Sequence, residues 1–413
     1  MIPISEAIEI IKRETFSLGH EAVALSESVG RVLAKDIVAD SDLPPFDRSQ
    51  MDGFAVVAND TQNAPVSLKI VGESAAGKGW HHELGSGEAV RIMTGAPVPN
   101  GADAVQKLEL ASELDASHVT IAEPTEKGRF IIPKGFEIKR GEKVFSKGEI
   151  VTSNMIAGIA AFGYANVQVS KRPGVAILPT GSEIVEIDQP PGEDQIRNSN
   201  SVMLKVLCEK CGCRVELLPI AGDDLQALKS AILHAAGLTS PPPKNKSKVQ
   251  NPKSQILIIT GGVSVGKYDF TKAALLELGA VIFFDKVQLK PGKPTVFAKL
   301  GDTLIFGLPG NPVSAAVTFY LFVRLAILQM QSAPMAELRQ GFAVLNSPVK
   351  GTKERDTYLP SKLETDNKAR LIANQLKWSG SSDFIGFAKA EALIVVPKGR
   401  GFEKGEVVGI VYL

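Results

Sequence analysis

Residues 256–278, "ILIITGGVSVGKYDFTKAALLEL", decide how the chain is read. Ile256 to Ile259 form an apolar run suited to a buried strand, Gly261, Gly262 and Gly266 follow, and residues 273–278 have a helical character. A strand that turns through glycines into a helix is the repeating unit of an α/β sheet. In such sheets ligands settle at the carboxyl ends of the strands. The same kind of run recurs in "VAILP" from Val175, "RVELLPI" from Arg214, "VIFF" from Val281 and "TLIFGLP" from Thr303, each separated from the next by helical stretches. This alternation predicts a parallel α/β sheet over residues 169–331.

The flanking regions read differently. Residues 39–140 carry short alternating pieces such as "SLKIVG", "AVRIM" and "HVTIAEP" broken by Gly, Pro and Asn, which predicts a small β-rich domain. Residues 332–413 repeat that style in "ARLIANQL", "EALIVVP" and "EVVGIVYL", and predict a C-terminal β-barrel. Two helical stretches, Leu25 to Ala34 and Ser153 to Phe162, flank the first β-rich region, so residues 1–38 and 141–168 are read as a helical stalk. The fold class is therefore multidomain α/β plus β. Residues 239–255, "TSPPPKNKSKVQNPKSQ", have almost no apolar residues and read as an exposed loop.

With 413 residues the chain is long enough for several domains, and 46 basic against 45 acidic residues leave a net charge of +1. No global field draws it to nucleic acid or an anionic membrane, so any anion recognition is local. The N-terminus places Ile4, Ile8 and Ile11 on one helical face among charges, unlike a signal peptide. The apolar stretch from Ala315 is interrupted by Arg324 and falls short of a membrane span. A cytoplasmic location without membrane or nucleic-acid partners is expected. Cys208, Cys211 and Cys213 lack a fourth nearby ligand for zinc and read as a helix end passing through Gly212 into a strand.

Four loops after strands carry the chemistry: Thr180, Gly181, Ser182 and Glu183; Asp223 and Asp224; Thr260, Gly261, Gly262, Ser264 and Asp269; and Gly307, Pro309, Gly310, Asn311, Pro312 and Ser314. The third nearly matches the nucleotide loop G-x-x-x-x-G-K through Gly261, Gly266 and Lys267, but Tyr268 stands where a hydroxyl would bind magnesium, which argues against an ordinary phosphotransferase. What remains is a backbone cradle for an anion. Asn311 reads as the N-cap of a helix whose first residue is Pro312, pointing partial positive charge at the same cleft. Between these loops, Lys286 precedes "KPGKP", which holds Lys290 and Lys293 and reads as a rigid turn presenting ammonium groups to an oxyanion. On an ordinary strand the same lysines would be a solvated edge. Glu183, Asp223 and Asp269, from separate loops of one face, suit a divalent cation held between phosphate oxygens. The residues by themselves point to an enzyme or binder for a phosphorylated, metal-bridged small molecule.

The ordered set "PPFDRSQMDGFAV" (44–56), "RIMTGAPVPNGADAV" (91–105), "TGSEI", "GGVSVGKYDFTK", "LKPGKP" and "GLPGNPVSA" resembles the molybdopterin molybdenumtransferase family, MoeA and the gephyrin E domain. The resemblance runs from the N-terminal helix to "SGSSDFIGFAKAEALIVVP" (379–397). It implies a four-domain homodimer, with residues 169–331 as the molybdopterin-binding domain and the stalk in dimerisation. The implied reaction takes adenylylated molybdopterin and molybdate to molybdenum cofactor and AMP, with Mg²⁺, and implies contact with the molybdopterin adenylyltransferase. Glu183, Asp223 and Asp269 would serve pyrophosphate cleavage and hold the metal, while Asp52 and Thr94 would reach the cleft from the other subunit. Thr180, Gly181, Ser182, Gly261, Gly262, Ser264, Lys286, Pro309 and Pro312 would bind the pterin substrate. Molybdate would sit near Lys290, Lys293, Pro294 and Ser314, met by Arg355 and by Ser381 or Ser382. Without the family, Asp52 reads as a turn aspartate before Gly53 and Thr94 as a turn hydroxyl. The chain departs from the family at Phe136, where an acid is usual, leaving Glu137 for the aspartate and Lys134 for a basic run, and at Ser182 and "NSN" (198–200). Alternative readings are a catalytically weakened scaffold of the same fold and a tungstate-preferring insertase.

Overall fold

The structure is a computed structural model and describes residues 1–222, 224–240, 253–262, 270–334 and 336–413. The chain divides into two compact units, one of residues 1–34, 148–152 and 166–413, the other of residues 35–147 and 153–165.

In the larger unit, the run Ile256–Thr260 is a strand buried along its whole length. It lies in a six-stranded sheet in the order Arg214–Leu217, Gly174–Pro179, Ile256–Thr260, Thr303–Leu308, Val296–Leu300, Val281–Phe284. The first four run parallel, in register Ile177 with Ile258 and Ile258 with Phe306. The unbroken apolar character of these strands has a direct cause: both faces are covered. Val175, Ile177, Ile256, Ile258, Leu304 and Phe306 point into one core, whereas Ala176, Leu178, Leu257, Ile259 and Ile305 point into another. The helices Ile4–Glu14, Ser199–Lys210 and Pro312–Met330 supply the first core. The helices Leu225–Ala235 and Phe270–Glu277 supply the second.

Three sequence expectations change. The sheet is mixed rather than parallel throughout, because Val296–Leu300 runs antiparallel to Thr303–Leu308 and joins it as a hairpin. Leu25 to Ala34 is not a long helix but a single 3₁₀ turn, Leu25–Glu27, followed by turns and bridges, since Gly30 takes a φ of 79°. The apolar stretch from Ala315 belongs to the 19-residue helix Pro312–Met330, which has a mean hydropathy of 1.7 and is by length and composition long enough to span a membrane. Its apolarity is accounted for internally, since 83% of it is buried in this unit. The cysteine reading holds: Ser199–Lys210 ends at Cys211, Gly212 takes a φ of 83°, and the chain enters the strand at Arg214. Burial raises the pKa of all three thiols.

Strand order sets the place of the ligand cleft. From Gly174–Pro179 the chain crosses one face to Arg214–Leu217 on one side, then returns over the other face to Ile256–Thr260 on the opposite side. The crossovers diverge between the carboxyl ends of Gly174–Pro179 and Ile256–Thr260, leaving a crevice there.

Beyond the sheet, Gln340–Leu345, Asp356–Thr365, Leu371–Gln375, Ala392–Val396 and Val407–Tyr412 close into a five-stranded barrel through the pairing of Asp356–Thr365 with Ala392–Val396. Leu289–Lys290 adds a parallel pairing to the start of Asp356–Thr365, bonding the α/β region to the barrel's rim.

The smaller unit holds a six-stranded sheet in the order Ala104–Lys107, Gly53–Val56, Glu88–Ile92, Val66–Ser74, His118–Ile121, Ala111–Asp115. Phe54 and Val56 face one core, Ala55 the other. Gly53 is required because a Cβ there would lie 2.0 Å from the Gln106 carbonyl oxygen.

Phe297 is fully buried, with ring centroids 4.9 Å from Phe306 and 5.4 Å from Phe283. Phe297→Ala is therefore expected to destabilise the larger unit by about 3–5 kcal/mol, the usual cost of deleting a buried phenyl group, measured as a lowered urea midpoint. An unchanged midpoint would contradict this packing.

Candidate functional site

Thr180 and Thr260 end adjacent parallel strands at the switch point. The Thr180 N–H donates to the Thr260 carbonyl at 3.0 Å, and the Gly181 N–H donates to Ala221 at 3.2 Å. Gly261 has a φ of 95°, and a Cβ there would stand 2.4 Å from the Thr180 carbonyl oxygen. At Gly262, with φ 59°, a Cβ would lie 2.9 Å from Thr180 Oγ1. Gly310 closes the group, 3.6 Å from the Gly261 Cα by the same construction. Glycine is thus required at 261 and 262, where the chain bends against Thr180, while a side chain at 310 would make only an ordinary contact. The resulting cleft of about 980 Å³ is walled by Thr180, Glu183, Gly261, Gly262, Pro309 and Pro312, among others. Asp223, Ser264 and Asp269, with Lys267 and Tyr268, lie outside the described residues. Among the described residues no three His, Cys, Asp or Glu side chains cluster as metal ligands, so Glu183 stands in the cleft as a single described carboxylate.

The lysine turn is built by its glycine. Gly292 has a φ of 118°, and a Cβ there would come within 2.6 Å of the Thr318 methyl, so the turn rests on the helix Pro312–Met330. Thr295 Oγ1 donates to the Gly292 carbonyl at 2.7 Å and the Val287 N–H to Lys293 at 3.0 Å. Thr318 Oγ1 donates to the Ser314 carbonyl, which places buried Ser314 one helical turn before the residue that supports the lysines. Lys290 pairs with Thr357 in the barrel's first long strand, next to Arg355. Lys290, Lys293, Ser314 and Arg355 are thereby tied to one corner of the unit. Pro294 and Ser382 wall the cleft itself. Among the described cleft walls none of Lys286, Lys290, Lys293, Ser314, Arg355 and Ser381 appears, and the Lys286 carbonyl accepts the Ile2 N–H.

Asn311 holds the N-cap position ahead of Pro312, as read from the sequence. Its side chain makes no cap to the helix; its Nδ2 donates instead to Ser381 Oγ at 2.8 Å, and the Val313 N–H donates to the Ser381 carbonyl at 3.1 Å. One free N–H of the helix start is thus spent on the barrel loop rather than offered to an anion. That loop is held by Asp383, whose carboxylate accepts from the Ser379 N–H and hydroxyl and from the Gly386 N–H.

Sequence reasoning left several cleft residues unassigned. Asn200 donates through Nδ2 to Thr260 Oγ1 at 3.0 Å and to the Gly310 carbonyl at 2.8 Å, bracing two of the loops. Gln195, Arg197 and Ile187 come from a small flap made by Ile184–Val185 and Ile196–Arg197. The asparagine spacing in "NSN" was the available signal for Asn200; the flap, a half-buried and an exposed two-residue strand, carried none.

In the smaller unit, Asp52 and Thr94 meet because Gly53 and Ile92 are paired at the same end of the sheet. Asp52 Oδ1 accepts the Thr94 N–H at 2.7 Å and its hydroxyl at 3.0 Å, and these bonds lower the Asp52 pKa. Phe136 is 73% exposed, and neighbouring Glu137 pairs with Arg48 at 3.0 Å.

An α/β crevice of glycine loops, with a lysine turn bonded to a β-barrel beside it, defines an anion-binding class of α/β protein. Residues 2–163 match the MoeA N-terminal region (domain I and II), residues 176–329 a probable molybdopterin binding domain, and residues 343–413 the MoeA C-terminal region (domain IV). The chain belongs to the MoeA family. It is 35% identical over 422 residues to the molybdopterin molybdenumtransferase of Staphylococcus aureus (strain COL), covering 99% of this chain and 95% of that one. It is 34% identical to the enzyme of that name from Bacillus subtilis (strain 168), covering 100% and 94%. The molybdopterin biosynthesis moeA protein of Pyrococcus horikoshii OT3 superposes with a TM-score of 0.83 at 29% identity over the whole of both chains.

Two outcomes follow from this geometry. Gly261→Ala is expected to distort the cleft and cost at least about 1–3 kcal/mol in backbone strain, seen as a lower melting temperature; a variant as stable as the parent would refute the close approach. The three donors to Asp383 lower its pKa from 3.8, the two backbone N–H groups contributing most. A depressed carboxylate pKa adds stability above the unfolded value, and that contribution is lost as pH falls through the folded value. Below about pH 4 the Ser379–Ala388 loop should loosen, a change absent in Asp383→Ala and readable at the neighbouring Trp378 fluorescence.

Proposed function

We propose that this protein completes molybdenum cofactor synthesis by transferring molybdenum from molybdate to molybdopterin, taking adenylylated molybdopterin as substrate and releasing AMP. The observation that carries this reading is the convergence of Thr180, Gly261 and Gly310 at the switch point, beside a lysine turn that rests on the helix carrying Ser314. The relatives' names support it.

The pyrophosphate lies against the backbone and hydroxyls of Thr180, Gly181, Ser182, Gly261, Gly262 and Ser264, with Pro309 and Pro312 shaping the wall. Glu183 suits Mg²⁺, which takes one or two carboxylates beside phosphate oxygens and water; with Asp223 and Asp269 it would hold the ion, which supplies charge neutralisation at the phosphates. Molybdate is a second substrate, a tetrahedral dianion met by Lys290, Lys293 and Arg355, with hydroxyls of Ser314 and Ser381 or Ser382. Fixed cations suit it because they lose little freedom on binding and stabilise the charge that develops as AMP departs. Lys286 adds positive potential from outside the walls. The active form is a homodimer in which Asp52 and Thr94 serve the cleft of the other copy, and it takes its pterin from the adenylyltransferase.

Incubation with adenylylated molybdopterin, Mg²⁺ and molybdate is expected to release AMP and form cofactor. Glu183→Gln and Asp269→Asn should fold normally and release AMP at least about tenfold more slowly, the lower side of what a positioned catalytic group contributes. Mixing Asp52→Asn with Glu183→Gln protein should restore part of the activity. No AMP from the parent protein, with pyrophosphate still bound, would leave a binding paralogue instead.

A further inference from the structure

The hydrogen bonds at the switch point have a fixed direction. The Gly310 carbonyl is an acceptor only, so the Asn200 atom 2.8 Å from it must be the amide nitrogen, Nδ2. This settles the orientation of the whole amide. A second N–H of the same nitrogen reaches Thr260 Oγ1 at 3.0 Å, and the threonine oxygen is thereby the acceptor. Asn200 Oδ1 is buried and makes no hydrogen bond, so the side chain serves these loops as a donor alone.

A hydroxyl that accepts from one neighbour sends its own proton to another. No acceptor among the described residues receives the Thr260 proton. Thr260 is 3% exposed and walls the cleft. The residues that follow it, Gly261 and Gly262, bring no side chain between that hydroxyl and the cleft. The cleft adjoins an apolar groove of about 590 Å³, with Ile187, Ser199, Pro312 and Phe384 in the walls of both. Apolar walls offer an anion nothing, so its donors come from the strand ends and loops. At the end of Ile256–Thr260 the unspent proton is such a donor.

Resting on the function proposed above, we propose that Thr260 is a further ligand-binding residue of the reaction, donating its hydroxyl proton to a phosphate oxygen in the cleft, and that Asn200 is its positioning residue. Asn200 acts through Thr260: by occupying a lone pair of the hydroxyl it turns the proton away from the buried side. A donor aimed before the ligand arrives costs no reorientation on binding. Its bond to a charged oxygen is also stronger than one between neutral groups.

The test is a double-mutant cycle read as pyrophosphate affinity, by calorimetry on the full chain. Thr260→Val keeps the branched shape and removes the hydroxyl; it should weaken pyrophosphate about tenfold, the low end for a hydrogen bond to a charged group. Thr260→Ser, which restores the donor, should stay within about threefold of the parent. Asn200→Ala should cost at least about threefold in the parent but less than about twofold in the Thr260→Val protein, because coupled residues do not add and nothing remains to be oriented. If valine lowers the melting temperature, Thr260→Ala takes its place in the same cycle. Undiminished affinity in the variant lacking the hydroxyl overturns the proposal. So do equal losses from Asn200→Ala in both backgrounds, which would make Asn200 a brace for the loops and no more. If the parent still binds pyrophosphate and releases AMP in that case, this assignment fails alone; if it does neither, the functional reading fails with it.

Discussion

The larger unit depends on a close backbone approach at the sheet's switch point. The strand ends at Thr180 and Thr260 share a hydrogen bond, and Gly261 passes so near the Thr180 carbonyl that no side chain fits between them. That approach exists because both strands are buried on both faces, so their ends cannot splay. With the strands held, the loops must diverge in opposite directions, and the space between them becomes the cleft. Asn200 then bridges Thr260 to Gly310 and keeps the fourth loop in line with the others.

A second constraint connects this crevice to the barrel. Leu289–Lys290 leaves the α/β region to extend the barrel's edge, and Ser381 returns from the barrel to the helix start at Val313 and Asn311. The backbone of the turn and that of the barrel loop are therefore each tied across this boundary by hydrogen bonds. The helix start contributes less than its sequence suggests, because the loop has taken the Val313 N–H.

Much of the fold was legible from the residues. Fully apolar runs such as "ILIIT" announced strands covered on both faces, and alternating ones such as "HVTI" announced the β-rich unit. The errors have physical origins. Val296–Leu300 was hidden because its hairpin with Thr303 needs only Gly301 and Asp302, while the lysine turn before it drew the reading toward a loop. Leu25 to Ala34 has helical spacing, but Gly30 in a left-handed conformation ends any helix there. Asn311 has the identity of a cap and spends its amide elsewhere, since a side chain's partner depends on what packs against it.

Local chemistry was settled by the chain itself: which segments are strands, which turns need glycine, and which residues bring positive charge, carboxylates and hydroxyls. Tertiary structure alone decided which of these groups meet. It joined Asp52 to Thr94 through strand pairing across 42 positions, braced the cleft with Asn200, left Lys286, Lys290 and Lys293 out of its described walls, and opened an apolar groove beside it. The reason is that propensity and periodicity act over a few residues, whereas a site is made by strand register and packing between segments far apart in sequence.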